Sequence, residues 1–420
     1  MTQRALAAVE QFVKVPVARR NLLWSLGLGA FGLAFSITVV AAYLPPLLSK
    51  FTGSAVLIAA VLAAEGIFAI TLPLVIGPWS DTFQTPMGRR RPFMAVAVPP
   101  MAFALTLIAF MPSFWITALV VFCFFFAYYV YEPPYRGLYP DVLPPEYFGR
   151  GQSIQHLMRG TALGLGLVGG GFLFHVWRPF PFLLASALTI LACGATIALV
   201  PEPGGNERVF EGVRTYVARS LRILKTERHV RRFLIANSLW EGSFAAARTF
   251  VVLYVVKGLG QPLSTSSAVL ATIAIGYVVA AIGSGPIADR VGIARVLFFA
   301  SFLYGGGYVV AGLAESWHDW YYAALFPIGV AGGTVMTLAW GLLFKLMPAS
   351  ERGAIAGLAT TTKGIGLLCG PLIAGAAITI VAPYLPETHG YQIVWPICGL
   401  PILAAIPIVY SLIKVERART

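Results

Sequence analysis

Charge is scarce in this 420-residue chain: Asp, Glu, Lys and Arg make up only 11% of it, against about 25% in ordinary soluble domains. Too few charges are present to coat a water-facing surface of the usual kind. Cysteine is sparse too. Cys123, Cys193, Cys369 and Cys398 all fall in apolar runs without a CxxC pair, so neither a disulfide framework nor a zinc site is indicated. The five histidines are scattered and form no HExxH motif. A Walker GxxxxGK[ST] loop is missing, as is a GxGxxG turn between strand and helix, which argues against ATP-driven work and dinucleotide chemistry. No cofactor, no metal and no enzymatic activity are expected.

What fills the chain is hydrocarbon. Hydrophobic residues make up 58% and the mean hydropathy is +0.79. A bilayer crossing takes about 20 apolar residues. Twelve such runs are expected, at 21–48, 54–78, 92–112, 115–137, 153–176, 181–200, 232–256, 264–287, 293–314, 320–345, 354–382 and 390–413. Met1 to Arg20 is polar and carries no small-residue cleavage site, so the first run is expected to stay in the protein. The formal charge of +13 would suggest nucleic acid on a soluble protein. Here the positive residues recur between apolar runs, which reads as topology, and no nucleic-acid partner is expected. Arg4, Lys14, Arg19 and Arg20, then Arg89–Arg91, Arg150, the 201–231 stretch, Arg290, Arg295, Arg352 and the tail fall on alternate breaks. By the positive-inside rule these breaks, and both termini, are cytoplasmic.

The polar stretch 201–231 lies near the midpoint. It divides the chain into an N-terminal six-helix bundle (1–200), a cytoplasmic linker (201–231) and a C-terminal six-helix bundle (232–420). The basic residues of the linker, with Val217, Leu221 and Leu224, suit either an interfacial helix on the lipid headgroups or a solvated connector.

The two halves repeat a pattern. The second run ends Gly77-Pro78-Trp79-Ser80-Asp81, followed by Gly88-Arg89-Arg90-Arg91-Pro92-Phe93. The eighth ends Gly285-Pro286-Ile287-Ala288-Asp289-Arg290, followed by Gly292 and Arg295. Asp81 and Asp289 are placed to accept from helix-end amides or to pair with arginines, so that Asp81, Gly88, Arg89, Arg90 and Arg91 with Asp289 and Arg290 form a conformational latch. Repeated halves are common in transporters. This pattern resembles the signature loop of the major facilitator superfamily, and the resemblance covers essentially the whole chain. It implies an all-α membrane protein with the major facilitator fold, twelve transmembrane helices in two pseudo-symmetric six-helix bundles. Within the superfamily the Thr82–Met87 spacer with Gly88–Phe93 is similar to sucrose–proton symporters. The Pro134–Asp141 run, with Arg150 and Arg159 after it, is similar to glycoside–pentoside–hexuronide:cation symporters.

Ionisable groups inside the apolar runs are costly unless paired or facing a polar cavity, which makes them site candidates independently of any family. Glu65 lies near the centre of the second run among Ala63, Ala64 and Gly66. Glu132 and Arg136 are one helical turn apart, with Pro133 and Pro134 between them expected to disturb the helix. Arg159 follows near Gln155 and His156; Arg136 and Arg159 are both partner candidates for Glu132, and Glu132–Arg159 is the favoured pair. Glu241 and Arg248 lie about 10 Å apart along one helix. Lys363 follows Thr360, Thr361 and Thr362 and is a partner candidate for Glu241. Tyr128, Asn237, Trp240 and Trp340 are cavity candidates, because an aromatic face beside polar groups suits a sugar ring.

The expected function is secondary active transport by alternating access, as proton-coupled symport of a sugar, glycoside or similar small polar solute. Glu65, Glu132 or Glu241 would carry the coupling ion H+. An exporter of amphipathic compounds, an organic-anion carrier, and a non-transporting sensor or scaffold with the same fold are the alternatives. A monomer surrounded by membrane lipids, in a bacterial inner or plasma membrane, is expected.

Overall fold

The computed structural model describes residues 17–143, 148–202, 212–346 and 352–419. Among them are twelve helices long and apolar enough to cross a membrane. In lipid, backbone groups have no water to bond, so helices that close their own hydrogen bonds are the economical solution. The N-terminal six are α1 (Val17–Leu48), α2 (Ala55–Thr82), α3 (Arg91–Ile108), α4 (Phe114–Val142), α5 (Phe148–Val176) and α6 (Phe180–Leu199). A linker helix, α7 (Val213–Thr226), precedes α8 (Arg228–Leu253), α9 (Leu263–Val291), α10 (Ile293–Ala311), α11 (Tyr321–Leu346), α12 (Arg352–Val381) and α13 (Val394–Arg419). The expected span boundaries agree to within a few residues.

Local chemistry explains several boundaries. Ser54 and Ser113 cap α2 and α4, each accepting from a backbone N–H three residues on. Gly88, before α3, and Gly292, before α10, hold φ of +104° and +97°, a conformation that a side chain disfavours. The helix α4 continues without a break through Pro133 and Pro134, contrary to the disturbance expected there. The sixth span contains a π-turn at Thr189–Cys193, and the seventh ends in another at Tyr254–Gly258.

Within the first bundle α1 packs on α5 and α6, α2 on α4, and α3 on α4 and α6; within the second α8 packs on α12 and α13, α9 on α11, and α10 on α11 and α13. The bundles meet along α2–α12, α5–α9 and α1–α8. We call the face that carries the ends of the chain the terminal side, and the opposite face the distal side. One buried apolar cluster fills the first bundle and continues into the distal ends of α8, α9, α12 and α13, through residues such as Phe250, Val269, Ile378 and Trp395. A separate cluster fills the terminal-side part of the second bundle. Among the described residues the bundles are therefore sealed together distally and part toward the terminal side.

α7 touches α2, α8 and α12. Ile223 is buried against the second bundle, while Arg214, Leu221, Arg222 and Lys225 are exposed. The middle of the linker, including Arg208, and the side chains of Arg150, Gln152, Val217, Arg219 and Arg352 lie outside the described residues.

Candidate functional site

Between the bundles the embedded charges form two tiers. The deeper tier closes the distal side. Arg248 of α8 donates to Glu65 of α2, an ion pair that crosses from one bundle to the other. Tyr129 of α4 donates to the other carboxylate oxygen of Glu65 at 3.4 Å. Small residues let α2 and α12 come close enough to bury the pair: Gly66 lies against Gly364 and Leu368, and Gly375 against Ala55 and Ala59.

The second tier lies nearer the opening. Glu132 and Arg136 of α4 pair at 2.6 Å. This replaces the expected Glu132–Arg159 pair: the intact helix keeps the two α4 side chains one turn apart on one face, and Arg159 is left in electrostatic reach with Lys363 of α12. Arg159 and Lys363 are half-buried and form no ion pair among the described residues. Glu241 likewise has no salt-bridge partner there; its charge reaches Tyr277 and Tyr304. Lys363 thus acts on Glu132 rather than pairing with Glu241.

The aromatic candidates divide. Tyr128 is buried within reach of Glu132, Arg159, Glu65 and Arg136. Trp340 is half-buried and packs on Phe344. Trp240 is 1% exposed and packs on Phe233 in the core of the second bundle, so it lines no cavity. Asn237, one turn earlier, is also buried. His156 is exposed.

At the terminal side the first bundle ties five charges into one corner. Arg90 reaches Asp81 of α2 at 2.6 Å and Asp141 of α4 at 2.7 Å. Arg89 reaches Asp141 at 3.0 Å and Glu202 at 3.8 Å. Glu202, just after α6, accepts from the backbone N–H groups of Arg90 and Arg91 and so caps α3. The Arg90 guanidinium lies over Gly137, where any side chain would collide with it. All of these groups belong to one bundle. In this conformation the latch candidates hold α2, α3, α4 and the end of α6 together.

The second bundle departs from the expected copy. Asp289 and Arg290 are exposed and form no ion pair among the described residues. The corner is held instead by Glu416 of α13, which accepts from the N–H groups of Ile293 and Ala294 at 2.9 and 2.8 Å and from Lys345 at 2.9 Å. Asp141, Glu202 and Glu416 were not singled out from the sequence. A usable signal was present: each half carries an acid just beyond or at the end of its sixth apolar run. Among the described residues no three His, Cys, Asp or Glu side chains gather as a metal site would require.

Solved structures share this architecture. The crystal structure of the nucleoside transporter NupG aligns with 94% of this chain and 99% of its own, with a TM-score of 0.74 and 15% identity. A bacterial homologue of the human lysosomal transporter Spinster, crystallised inward-facing and occupied, aligns with 95% of this chain and 98% of its own, with a TM-score of 0.75 and 12% identity. The human organic anion transporter MFSD10 (TETRAN) aligns with 94% of this chain and 100% of its own, with a TM-score of 0.68 and 15% identity. At such identities the likeness is one of fold. No curated protein matches the chain by sequence. The family model of the Major Facilitator Superfamily matches residues 26–371 and again 251–420; with twelve apolar helices in two bundles parted on one side, the chain belongs to that superfamily of membrane transporters.

Proposed function

We propose that this transporter couples a small polar solute to protons by alternating access, with Glu65 and Arg248 as the coupling pair. The observation that carries the reading is the position of that pair. It bridges the two bundles at the closed end, where one proton alters the attraction between the halves. A proton on Glu65 removes the charge that holds Arg248. The freed guanidinium then turns to solvent or solute as the distal side opens. The second tier, with its charges and Tyr128, is the place for the solute, and rocking of the bundles around it exposes it to either side. A sugar, glycoside or comparable hydroxylated solute suits donors and acceptors of both signs. In this reading the termini face the cytoplasm, as the positive-inside rule requires, and the chain works as a monomer.

A second reading of the solute has its own observation. Arg159 and Lys363 have no direct anionic partner among the described residues, whereas the unpaired carboxylate Glu241 stands alone. That excess of positive charge suits a carboxylate or phosphate on the solute.

A thermal-shift screen of sugars, nucleosides and organic anions chooses the solute, and proteoliposome flux tests the coupling. Glu65→Gln should abolish accumulation driven by a pH gradient while keeping solute exchange at equal pH on both sides. Gradient-driven accumulation that survives in Glu65→Gln with an unchanged pH profile would remove Glu65 from the coupling step.

A further inference from the structure

The two long seams between the bundles are built differently. Along α2–α12 the helices are in contact from the distal end to mid-membrane, with Gly375 on Ala55 and Ala59, and Gly364 on Ala69 and Ile70. Along α5–α9 the comparable close contact lies at the distal end, where Gly171 meets Ser267. Below it the seam is gapped. A side chain at Gly160 or Gly164 would meet no atom within 4 Å. The gap is a groove of about 210 Å³ lined by Gly164, Val168, Ala271, Ala274, Val278 and neighbouring apolar residues of α9. Its outer rim faces away from the protein: Ile275 is 57% and Val279 47% exposed. Tyr277, on the same helix as the groove's α9 lining, lies in electrostatic reach of Arg159.

We propose that this groove is a binding site for the acyl chain of a bilayer phospholipid, which seals the polar interior from the side. The groove lies midway along two membrane-spanning helices, so hydrocarbon is the medium at its rim. Its lining offers water no hydrogen-bond partners. Without an occupant the seam would hold an unfilled gap on the helix whose Tyr277 lies in electrostatic reach of Arg159, and embedded charges are costly where their surroundings are not sealed from lipid. A flexible methylene chain fills an irregular slot of this kind and withdraws when the bundles rock and α5 closes on α9. The α2–α12 seam, already filled by its own backbones, has no room for one.

The test is photo-labelling in proteoliposomes whose phosphatidylcholine carries a diazirine in the middle of one acyl chain, followed by mass-spectrometric mapping. The expected result is labelling of the 164–168 and 271–279 segments several-fold above lipid-facing reference positions such as Phe302 and Ile380. Gly164→Leu should bring seam labelling down to the reference level and leave the reference unchanged, with Gly164→Ala falling between. Monodisperse elution confirms that each variant is folded. Seam labelling no higher than the reference, or unaffected by Gly164→Leu, overturns the proposal. So does seam labelling that falls when decanoate is added at constant lipid, an outcome that gives the groove to an amphipathic solute.

Discussion

The terminal-side corners of the two bundles share a backbone plan and differ in their charges. In each, a glycine with positive φ, Gly88 or Gly292, turns the chain into the third helix of its half. In each, a glutamate from the end of the sixth span caps that helix, Glu202 on α3 and Glu416 on α10. The N-terminal corner then adds Asp81, Arg89, Arg90 and Asp141 in a continuous network. The C-terminal corner adds the ion pair of Glu416 with Lys345. Helix capping is thus the shared element, and the ion network is an elaboration of one copy. A network held by several partners resists opening more than a single capped end does.

The largest expected difference follows from removing its hub. Arg90→Ala leaves Asp81 and Asp141 without their shared cation and empties the space over Gly137. Breaking a buried pair by removing one partner costs about 3–5 kcal/mol. Lys345→Ala, where the lysine is exposed and Glu416 keeps its two backbone donors, should cost about 1 kcal/mol or less. Unfolding of both variants in mixed micelles measures the contrast. Equal losses would mean that water already screens the N-terminal network and that the two corners are energetically alike.

The glycines give a finer comparison. Forcing a side chain into a left-handed conformation costs roughly 1–2 kcal/mol, and both Gly88→Ala and Gly292→Ala should incur it. At Gly88 the added carbon would also collide with the Glu202 carboxylate, whereas at Gly292 it meets Glu416 at 3.4 Å, an ordinary contact. Gly88→Ala should therefore lower the melting temperature more, and should also weaken the cap on α3. If Gly292→Ala proves the more damaging, the close fit around Glu202 is not what limits the corner.

These corners also mark how far the residues alone could be read. Twelve spans, the two bundles and the repeated Gly-Pro…Asp turns were legible, because long apolar runs and turn residues act locally. The cost of embedded charge also pointed to Glu65, Arg248, Glu132 and Lys363. Partnership was not legible. Glu65 and Arg248 stand 183 positions apart, and nothing in either helix says that α2 and α8 face each other. The pairing of Glu132 with Arg136 was the less favoured of two candidates for a local reason: two prolines suggested a disturbed helix, yet the helix carries through them. Trp240 drew attention beside Glu241, but adjacent helical residues point in different directions, and the indole turns into the core.

The repeated aspartate sets the smallest and sharpest test. Asp81 and Asp289 occupy equivalent places in the sequence pattern, yet Asp81 holds Arg90 at 2.6 Å while Asp289 is exposed and has no ion pair among the described residues. A surface substitution away from any packed or paired feature changes stability by no more than about 0.5 kcal/mol, so Asp289→Asn should be silent in unfolding where Asp81→Asn is not. Flux adds what stability cannot. If Asp289→Asn also leaves transport unchanged, the second copy of the motif serves only its turn, and the corner rests on Glu416 and its partners. If transport falls while stability does not, Asp289 finds its partner only when the bundles close on the terminal side. The asymmetry would then belong to one conformation of the transport cycle, and the latch would have two arms that engage in turn.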